Sequence, residues 1–331
     1  MSAPRAERND LCFAGGFSID AILFADGSYD TDRLGGNALW AAAGAMLNGA
    51  EPRAFSVVGA DYPPDALDRL DALGIDVTGV RRDEGRAGVR VTYSYREDGS
   101  RVQPASAAAL QVVPEPHRSR FIDTTRSTTS PPPQVTPADL PADSTGTCWH
   151  LGLLPIEVFH DLAAHLRGTG ARYLQADCPA RYQLRLEGID SLAPSLELLD
   201  VFLPSTSDTD VFLPGLGRPE IIAAFQRLGA RNVVLKCGED GALVALDDGS
   251  TWHIPAVRDP LEIDPTGSGD VFAGAFAATV QAGGDYIAAA CRGAATASVA
   301  TRLRNPLQFD EIDPRDVDRN TATIAEGVTR V

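Results

Sequence analysis

The second half of the chain alternates short apolar stretches with helical patterns, and this alternation restricts the fold more than any other feature. The strand-like stretches are WHLGLLP, YLQAD, LLDVFLPS and NVVLKCGEDGALVAL, and the helical ones include IEVFHDLAAHLRGTG and PEIIAAFQRLGA. Repeated strand–helix units with apolar strands are typical of parallel sheets that are buried on both faces. We therefore predict an α/β fold with a mostly parallel sheet flanked by helices.

The N-terminal third departs from this pattern. LCFAGGFSIDAILF predicts a strand, a glycine turn and a second extended stretch, whereas GVRVTYSYREDGSRVQPA alternates apolar and polar residues around the turn Glu97-Asp98-Gly99. Such alternation is typical of a solvent-facing hairpin, which does not fit a parallel sheet. We predict that these segments form a small β lid, from residues 15–36 and 88–112 of a single domain over residues 1–331.

Residues 113–147 lose periodicity and collect Pro, Ser and Thr, with SPPPQVTP near their centre. No second independent pattern begins after them, so we predict an irregular insertion and not a domain boundary.

Composition excludes several classes of function. The formal net charge of −16 argues against nucleic acid or an anionic membrane surface as a partner, because both require a basic face. The apolar runs are too short for a transmembrane helix, and the polar start MSAPRAERND does not resemble a signal peptide. The five cysteines are scattered without a C-x-x-C pair, which indicates small packing residues in a reducing, cytoplasmic setting.

The stretch Ile263 to Phe276, IDPTGSGDVFAGAF, carries the strongest chemical signal. We expect the preceding Leu-Glu-Ile to be a strand, and the alanine-rich segment that follows to be a helix. Gly267, Ser268 and Gly269 would let backbone N–H groups approach an anion at the positive end of that helix. Asp270 would then act as a base in the same space, although a plain glycine turn with a helix-terminal carboxylate explains the same residues equally well.

The whole string resembles the signature D-x-T-G-[AS]-G-D, followed by an aromatic residue, of the ribokinase or PfkB family of carbohydrate kinases. The matching residues are Asp264, Thr266, Gly267, Ser268, Gly269, Asp270 and Phe272. Three weaker motifs agree in order and spacing. Residues 34–38 (LGGNA) resemble the family's substrate loop, residues 15–20 its G-x-x-x-D opening, and residues 236–241 (KCGEDG) its nucleotide turn.

This resemblance implies a Rossmann-like sheet with a small β lid, ATP as the phosphoryl donor and Mg²⁺ as its charge partner. It implies that Asp270 is the general base and that the amides of residues 267–270 form an anion hole. The implied acceptor contacts are Asp20, Gly35, Gly36 and Asn37, and the implied nucleotide contacts are Lys236, Gly238, Asp240, Gly241 and Thr266. Some of these residues also have a purely structural interpretation, namely a capping role for Asp20, a simple turn for Gly35 and Gly36, and a surface position for Lys236.

The resemblance also implies a small-molecule acceptor, namely a sugar, a polyol or a nucleoside, and a homodimer through the lid. The chain departs from the family where N-x-x-E is usual, since it has Ser205 and Asp208 there. We expect Asp208 to hold Mg²⁺ through water. The Ser205 change motivates an alternative, a non-catalytic ligand-binding regulator. Residues 301–306 lack the Gly-Ala pair of members activated by monovalent cations, so we do not predict potassium dependence.

Three further residues stand near strand ends. His150 in WHLG is expected to be a satisfied core or rim histidine, with a place in the lining of the acceptor pocket as the alternative. Asp177 resembles the aspartate of the family's D-x-N-x-R motif, and helix capping is the structural alternative for it. An apolar residue near Leu153 replaces a family acid that contacts the sugar, so ribose is not a firm expectation for the acceptor.

Overall fold

The computed structural model describes residues 10–97, 101–127 and 129–331. Its strands are β1 (Leu11–Ala14), β2 (Ser18–Leu23), β3 (Tyr29–Gly35), β4 (Pro52–Gly59), β5 (Asp76–Asp83), β6 (Val89–Tyr95), β7 (Arg101–Val102), β8 (Cys148–Leu151), β9 (Tyr173–Asp177), β10 (Val201–Leu203), β11 (Val233–Lys236), β12 (Ala242–Ala245), β13 (Thr251–Ile254) and β14 (Thr329–Arg330).

The α-helices alternate with these strands along most of the chain. They are α1 (Asn37–Leu47), α2 (Ala66–Leu73), α3 (Ile156–Gly168), α4 (Arg181–Glu187), α5 (Ala193–Leu196), α6 (Thr206–Phe212), α7 (Arg218–Arg227), α8 (Ser268–Gln281), α9 (Tyr286–Ala300) and α10 (Pro314–Glu326). None of the helices in the described ranges is both long and apolar enough to cross a membrane.

Within the described residues, ten strands form a large sheet in the order β14-β13-β12-β11-β10-β9-β8-β1-β4-β5. The strands from β11 to β5 in this order are parallel, and β12, β13 and β14 are antiparallel additions at one edge. The predicted α/β fold with a mostly parallel sheet is confirmed.

The large sheet is buried on both faces because successive strand residues point into two different cores. In β1, Leu11 and Phe13 join the core beneath α1, α8 and α9. Cys12 and Ala14 join the opposite core, beneath α3 and α7. This two-sided burial explains why the strands are apolar along their whole length.

A second, small sheet has the order β3-β2-β6-β7 within the described residues. Strand β2 pairs antiparallel with β3 but parallel with β6, and β6 pairs antiparallel with β7. The expected hairpin is thus present as β6 and β7. Of its expected turn, Asp98 and Gly99 lie outside the described residues. Whether this sheet acts as a lid stays a prediction, as do the single-domain boundaries and the extent of the insertion at residues 113–147.

The structure corrects one local expectation and adds strands that were not predicted, among them β5, β13 and β14. Leu261, Glu262 and Ile263 do not form a strand, since the side chains of Leu261 and Ile263 are exposed and the N–H groups of Ile263 and Asp264 both donate to the Thr301 carbonyl. Strand β5 was not predicted, because it is a half-exposed edge strand whose sequence, DVTGVRRD, lacks a clear apolar pattern.

Candidate active site

The carboxyl ends of the parallel strands meet at one edge of the large sheet, where open α/β folds bind their ligands. Four of the residues singled out by sequence lie at or just beyond strand ends. Asp177 ends β9, Ser205 follows β10, Lys236 ends β11, and Gly15 follows β1. The topology therefore brings together residues that are far apart in the chain.

The loop of residues 264–270 enters helix α8 at this edge. Gly267 is the residue before the helix and has φ of 80°, a left-handed conformation that favours glycine. A Cβ atom there would also lie 2.5 Å from the Trp40 ring. The N–H of Ser268 already donates to the Pro265 carbonyl at 3.2 Å. The N–H groups of Gly269 and Asp270 belong to the first helical turn, which lacks intrahelical acceptors, so they are placed to bind an anion.

Asp264 stabilises this loop through hydrogen bonds to Thr266. Its carboxylate accepts hydrogen bonds from the Thr266 N–H at 2.9 Å and from the Thr266 hydroxyl at 2.6 Å. The Thr266 hydroxyl also pairs with the Tyr95 hydroxyl at 2.7 Å. Thr266, predicted as a nucleotide contact, is thus buried and braces the loop on both sides.

Asp270 lies in the first turn of α8 and is half-buried. Burial and the negative charge of Asp177 raise the pKa of its carboxyl group to about 7, although Lys236 and Arg101 act in the opposite direction. A carboxylate with a pKa near neutrality can accept a proton from a substrate hydroxyl and release it again.

Lys236 does not lie on the surface, which had been the structural alternative to a nucleotide contact. Its ammonium group donates to the Asp177 carboxylate at 2.5 Å and to the Gly269 carbonyl at 3.1 Å. The side chain is 12% exposed. Its positive charge is therefore held at the start of α8, beside the loop of residues 264–270.

The predicted acceptor residues surround the end of β1. The Asn37 side-chain oxygen accepts from the Gly16 N–H at 3.1 Å, and its amide nitrogen donates to the Leu153 carbonyl at 3.0 Å. Gly36 has φ of 109°, and a Cβ atom there would lie 2.2 Å from the Gly16 carbonyl oxygen. Gly36 thereby lets the start of helix α1 approach the β1 loop closely.

Asp20 is buried on the small sheet next to Gly35. One carboxylate oxygen accepts from the Ser18 hydroxyl at 2.6 Å, and a Cβ atom at Gly35 would lie 2.2 Å from the other. Burial raises the pKa of the Asp20 carboxyl to about 6. Burial also raises the pKa of the Tyr93 phenol, and the charges of Asp20 and Asp270 raise it further, so this ring lies near both carboxylates.

The predicted nucleotide turn follows β11. Gly238 and Gly241 both have positive φ, and a Cβ atom at Gly241 would lie 1.9 Å from the Ile254 carbonyl oxygen. The Asp240 side chain is largely exposed and forms an ion pair with Arg218. The Asp240 side chain is thus directed towards helix α7.

Asp208 lies in the first turn of α6 and has two side-chain partners. Arg181 donates to one of its oxygens at 2.9 Å, and the Ser205 hydroxyl donates to the other at 2.6 Å. In the described part of the chain, no group of three or more His, Cys, Asp or Glu side chains is placed to hold a metal ion. The donor set therefore fits an Mg²⁺ that arrives on nucleotide phosphates and meets Asp208 through water, and does not fit a resident metal.

Sequence reasoning missed several residues of this region. Arg33 and Tyr95 reach the loop of residues 264–270 from the small sheet, and Arg101 contributes a positive charge near Asp270. Arg181 holds Asp208 and also donates to the Gln103 side chain at 3.1 Å. None of them lies in a recognisable motif, because their partners are distant in the chain.

Comparisons with known proteins agree with this fold. Residues 183–308 match the model of the pfkB family carbohydrate kinase. This part of the chain is similar to that family, as the motifs predicted. The match, together with the kinases described next, confirms the expectation of a carbohydrate or nucleoside kinase that was drawn from the motifs.

Among curated relatives, a cytidine kinase of Thermococcus kodakarensis is 28% identical over 278 residues, which cover 83% of this chain and 89% of that protein. Two solved structures share the fold. A Burkholderia thailandensis nucleoside kinase in complex with inosine has a TM-score of 0.67 and 20% identity, covering 95% of this chain and 96% of that one. A Salmonella enterica aminoimidazole riboside kinase has a TM-score of 0.70 and 18% identity, covering 94% and 100%.

Proposed function

We propose that this protein transfers the γ-phosphoryl group of ATP to a hydroxyl of a small sugar, polyol or nucleoside, with Asp270 as the general base. The observation that carries the proposal is the position of Asp270. Its carboxylate lies in the first turn of α8, next to N–H groups that have no intrahelical acceptor. A base and an anion site on one helical turn suit the transfer of a phosphoryl group to an alcohol.

In the proposed reaction, Asp270 accepts the proton of the acceptor hydroxyl while that oxygen forms a bond to the γ-phosphorus. The bond between the γ-phosphorus and the β–γ bridging oxygen breaks, and ADP leaves with the electron pair. The products are ADP and a phosphate ester, and Asp270 releases its proton to solvent. The amides at the start of α8 and the Lys236 ammonium would stabilise the negative charge on the migrating group.

Mg²⁺ would supply charge neutralisation on the ATP phosphates. Asp208 would orient its water ligands, with Arg181 and Ser205 holding the carboxylate in place. The acceptor hydroxyls would meet Asp20, whose second carboxylate oxygen accepts no hydrogen bond from Ser18, and Asn37 at the end of β1.

The acceptor class is best sought among nucleosides first. The relative and the two structural neighbours are named as kinases of cytidine, of nucleosides and of aminoimidazole riboside. All three substrates carry a ribose, which offers several hydroxyls to a carboxylate and an amide. Free sugars and polyols remain part of the proposal because no motif in the sequence selects between them.

The small sheet is proposed to act as a lid over the acceptor. Arg181 on α4 donates to the Gln103 side chain, and Arg126 donates to the Gln103 carbonyl at 2.8 Å. The Arg126 guanidinium also lies 3.7 Å from the centre of the Tyr182 ring. These contacts join the segment that follows β7 of the small sheet to helix α4 of the large sheet's helical layer. A homodimer through the lid stays a prediction that sedimentation can check.

The test is ADP release with Mg²⁺-ATP and a panel of nucleosides, sugars and polyols, comparing wild type with Asp270→Asn. We expect turnover on at least one acceptor and a loss of about 10²-fold or more in the variant, with ATP binding retained. Ligand binding without turnover on any acceptor would favour the non-catalytic regulator. Near-normal turnover by Asp270→Asn would remove Asp270 from the mechanism.

A further inference from the structure

Lys236 is the only lysine in the chain, although lysine and arginine together number 29. It occupies a site where two acceptors converge on one atom, the Asp177 carboxylate at 2.5 Å and the Gly269 carbonyl at 3.1 Å. An ammonium group is compact and has three donors, so it can serve both acceptors and keep a third donor. A planar guanidinium is larger and spreads its donors along a fork. A lysine therefore suits position 236 better than an arginine, although arginine is the usual cation elsewhere in the chain.

Behind Lys236, a buried row of polar groups leads into the large sheet. The Gln175 amide nitrogen donates to the Ala273 carbonyl at 2.8 Å, and the Tyr173 hydroxyl donates to the Gln175 side-chain oxygen at 2.8 Å. These two bonds fix which end of the Gln175 amide is nitrogen, since a carbonyl only accepts. The same nitrogen lies 3.1 Å from Nδ1 of His150.

This row determines the tautomer of His150. Because the Gln175 nitrogen can only donate, Nδ1 of His150 must accept, and its proton therefore lies on Nε2. That Nε2 atom is 3.5 Å from the second carboxylate oxygen of Asp177. Both atoms are buried, and within the described residues neither has a hydrogen-bond partner. His150 is thus directed at Asp177 as a donor.

The row meets α8 at two points one helical turn apart. Lys236 binds the carbonyl of Gly269, the residue before Asp270, and Gln175 binds the carbonyl of Ala273. Strands β9 and β11 supply Gln175 and Lys236, so two strands of the sheet hold the helix that carries the carboxylate, and His150 on β8 reaches it through Gln175.

We propose that His150 and Asp177 are positioning residues that act through the lone lysine, fixing the first turn of α8 and setting the charge around Asp270. This inference rests on the proposed role of Asp270 as the base. Four charged groups face its carboxylate: Asp177 from β9, Lys236 from β11, Arg101 from β7 and Asp208 from α6. Asp177 thus disfavours the ionised form of Asp270 in two ways, because it repels charge on Asp270 and also engages the lysine that would attract it.

The neutral variant Asp177→Asn gives an unambiguous sign. It removes a like charge from the neighbourhood of Asp270 and frees Lys236 from its ion pair, and both changes favour the ionised form of Asp270. Lys236→Met has the opposite effect, because it removes a positive charge. The pair of variants therefore shifts the titration of Asp270 in opposite directions.

A single lysine permits a direct measurement that needs no turnover. Untagged protein labelled with [ε-¹³C]lysine has one side-chain signal, which can be followed by NMR across a pH titration. We expect a step in this signal near pH 7 that disappears in Asp270→Asn and moves to lower pH in Asp177→Asn, by roughly half to one pH unit. An unchanged step in Asp177→Asn, or a step that survives Asp270→Asn, would overturn the inference.

Kinetics supply the second arm once an acceptor is known. The acid limb of kcat should move to lower pH in Asp177→Asn and to higher pH in Lys236→Met, while the KM for the acceptor changes little. His150→Leu should lower kcat and alter the lysine signal, and His150→Gln, which keeps a donor, should restore both in part. His165→Gln on α3 is the matched control and should leave both unchanged.

The two proposals fail in different ways. If no acceptor is phosphorylated, the lysine titration still decides whether Asp177 and Lys236 set the charge of Asp270. If Asp270→Asn abolishes turnover but the lysine signal shows no step, Asp270 remains the base and the positioning role of Asp177 and His150 is wrong.

Discussion

The guanidinium of Arg33, on the small sheet, donates to the carboxylate of Asp264 across 2.7 Å. The Asp264 side chain is fully buried and that of Arg33 is 8% exposed. Asp264 in turn holds Thr266, whose hydroxyl pairs with Tyr95 of the same sheet. Two side chains of the small sheet thus contact the loop that precedes Asp270, and the sheet that would cover the acceptor is bonded to the loop that would bind the phosphates.

Arg33→Met should destabilise the protein strongly. It leaves the Asp264 carboxylate buried without its cation, and breaking a buried pair from one side costs about 3–5 kcal/mol. Chemical denaturation of the variant should show this loss. Arg81→Met is a matched control, since Arg81 forms an ion pair with Asp139 at 2.8 Å but is half-exposed, and such pairs contribute about 0–1 kcal/mol. Equal losses in the two variants would mean that the Arg33 pair has no special role.

Tyr95→Phe should weaken ATP use with little effect on folding. The change removes only the hydroxyl, which pairs with Thr266 and also bonds to Arg101, and each bond is worth about 1 kcal/mol, so we expect the KM for ATP to rise by roughly fivefold or more. Thr266→Val removes the other hydroxyl of the pair. Each variant also loses a bond outside the pair, so the test is the shortfall from additivity: if the shared bond matters, the loss in the double variant should be smaller than the sum of the single losses by about the worth of that bond, whereas strictly additive losses would show that the two hydroxyls act separately.

Patterns that are local in the chain could be predicted, whereas contacts between distant segments could not. The segment from Asp264 to Phe272 predicted a loop followed by a helix, because small residues before an alanine-rich run favour that local structure. Arg33 and Asp264 are 231 positions apart, and nothing near Arg33 marks its partner. The partner of Lys236 had no sequence signal either, since Asp177 lies at the end of a neighbouring strand. Charged edge strands such as β5 escape detection for a related reason, because their pattern depends on what covers them.

Gly35→Ala should damage acceptor use selectively. A Cβ atom at residue 35 would lie 2.2 Å from the Asp20 carboxylate, which must then move out of its buried position. A displaced contact residue should raise the KM for the acceptor by about tenfold or more, and leave the KM for ATP close to wild type. Gly168→Ala is the matched control, since a Cβ atom there meets nothing within 4 Å. A rise in both KM values would indicate general damage and not a local shift of Asp20.

Asp270→Asn should stabilise the protein at alkaline pH while it abolishes turnover. The pKa of the Asp270 carboxyl is raised from 3.8 to about 7, chiefly by burial, so the folded protein keeps a proton that the unfolded chain has released between those values. Stability of the wild type therefore falls as the pH rises from about 4 to about 7, because the folded state binds more protons than the unfolded state in that interval.

The asparagine side chain carries no such charge, so Asp270→Asn should melt above the wild type at pH 8, and the difference should vanish at pH 4 or below. Thermal melts across this range measure it, with Asp65→Asn, an exposed residue, as the control. A variant that melts below the wild type at pH 8 would show that the ionised carboxylate is well accommodated by Lys236 and Arg101, and that its burial does not raise its pKa.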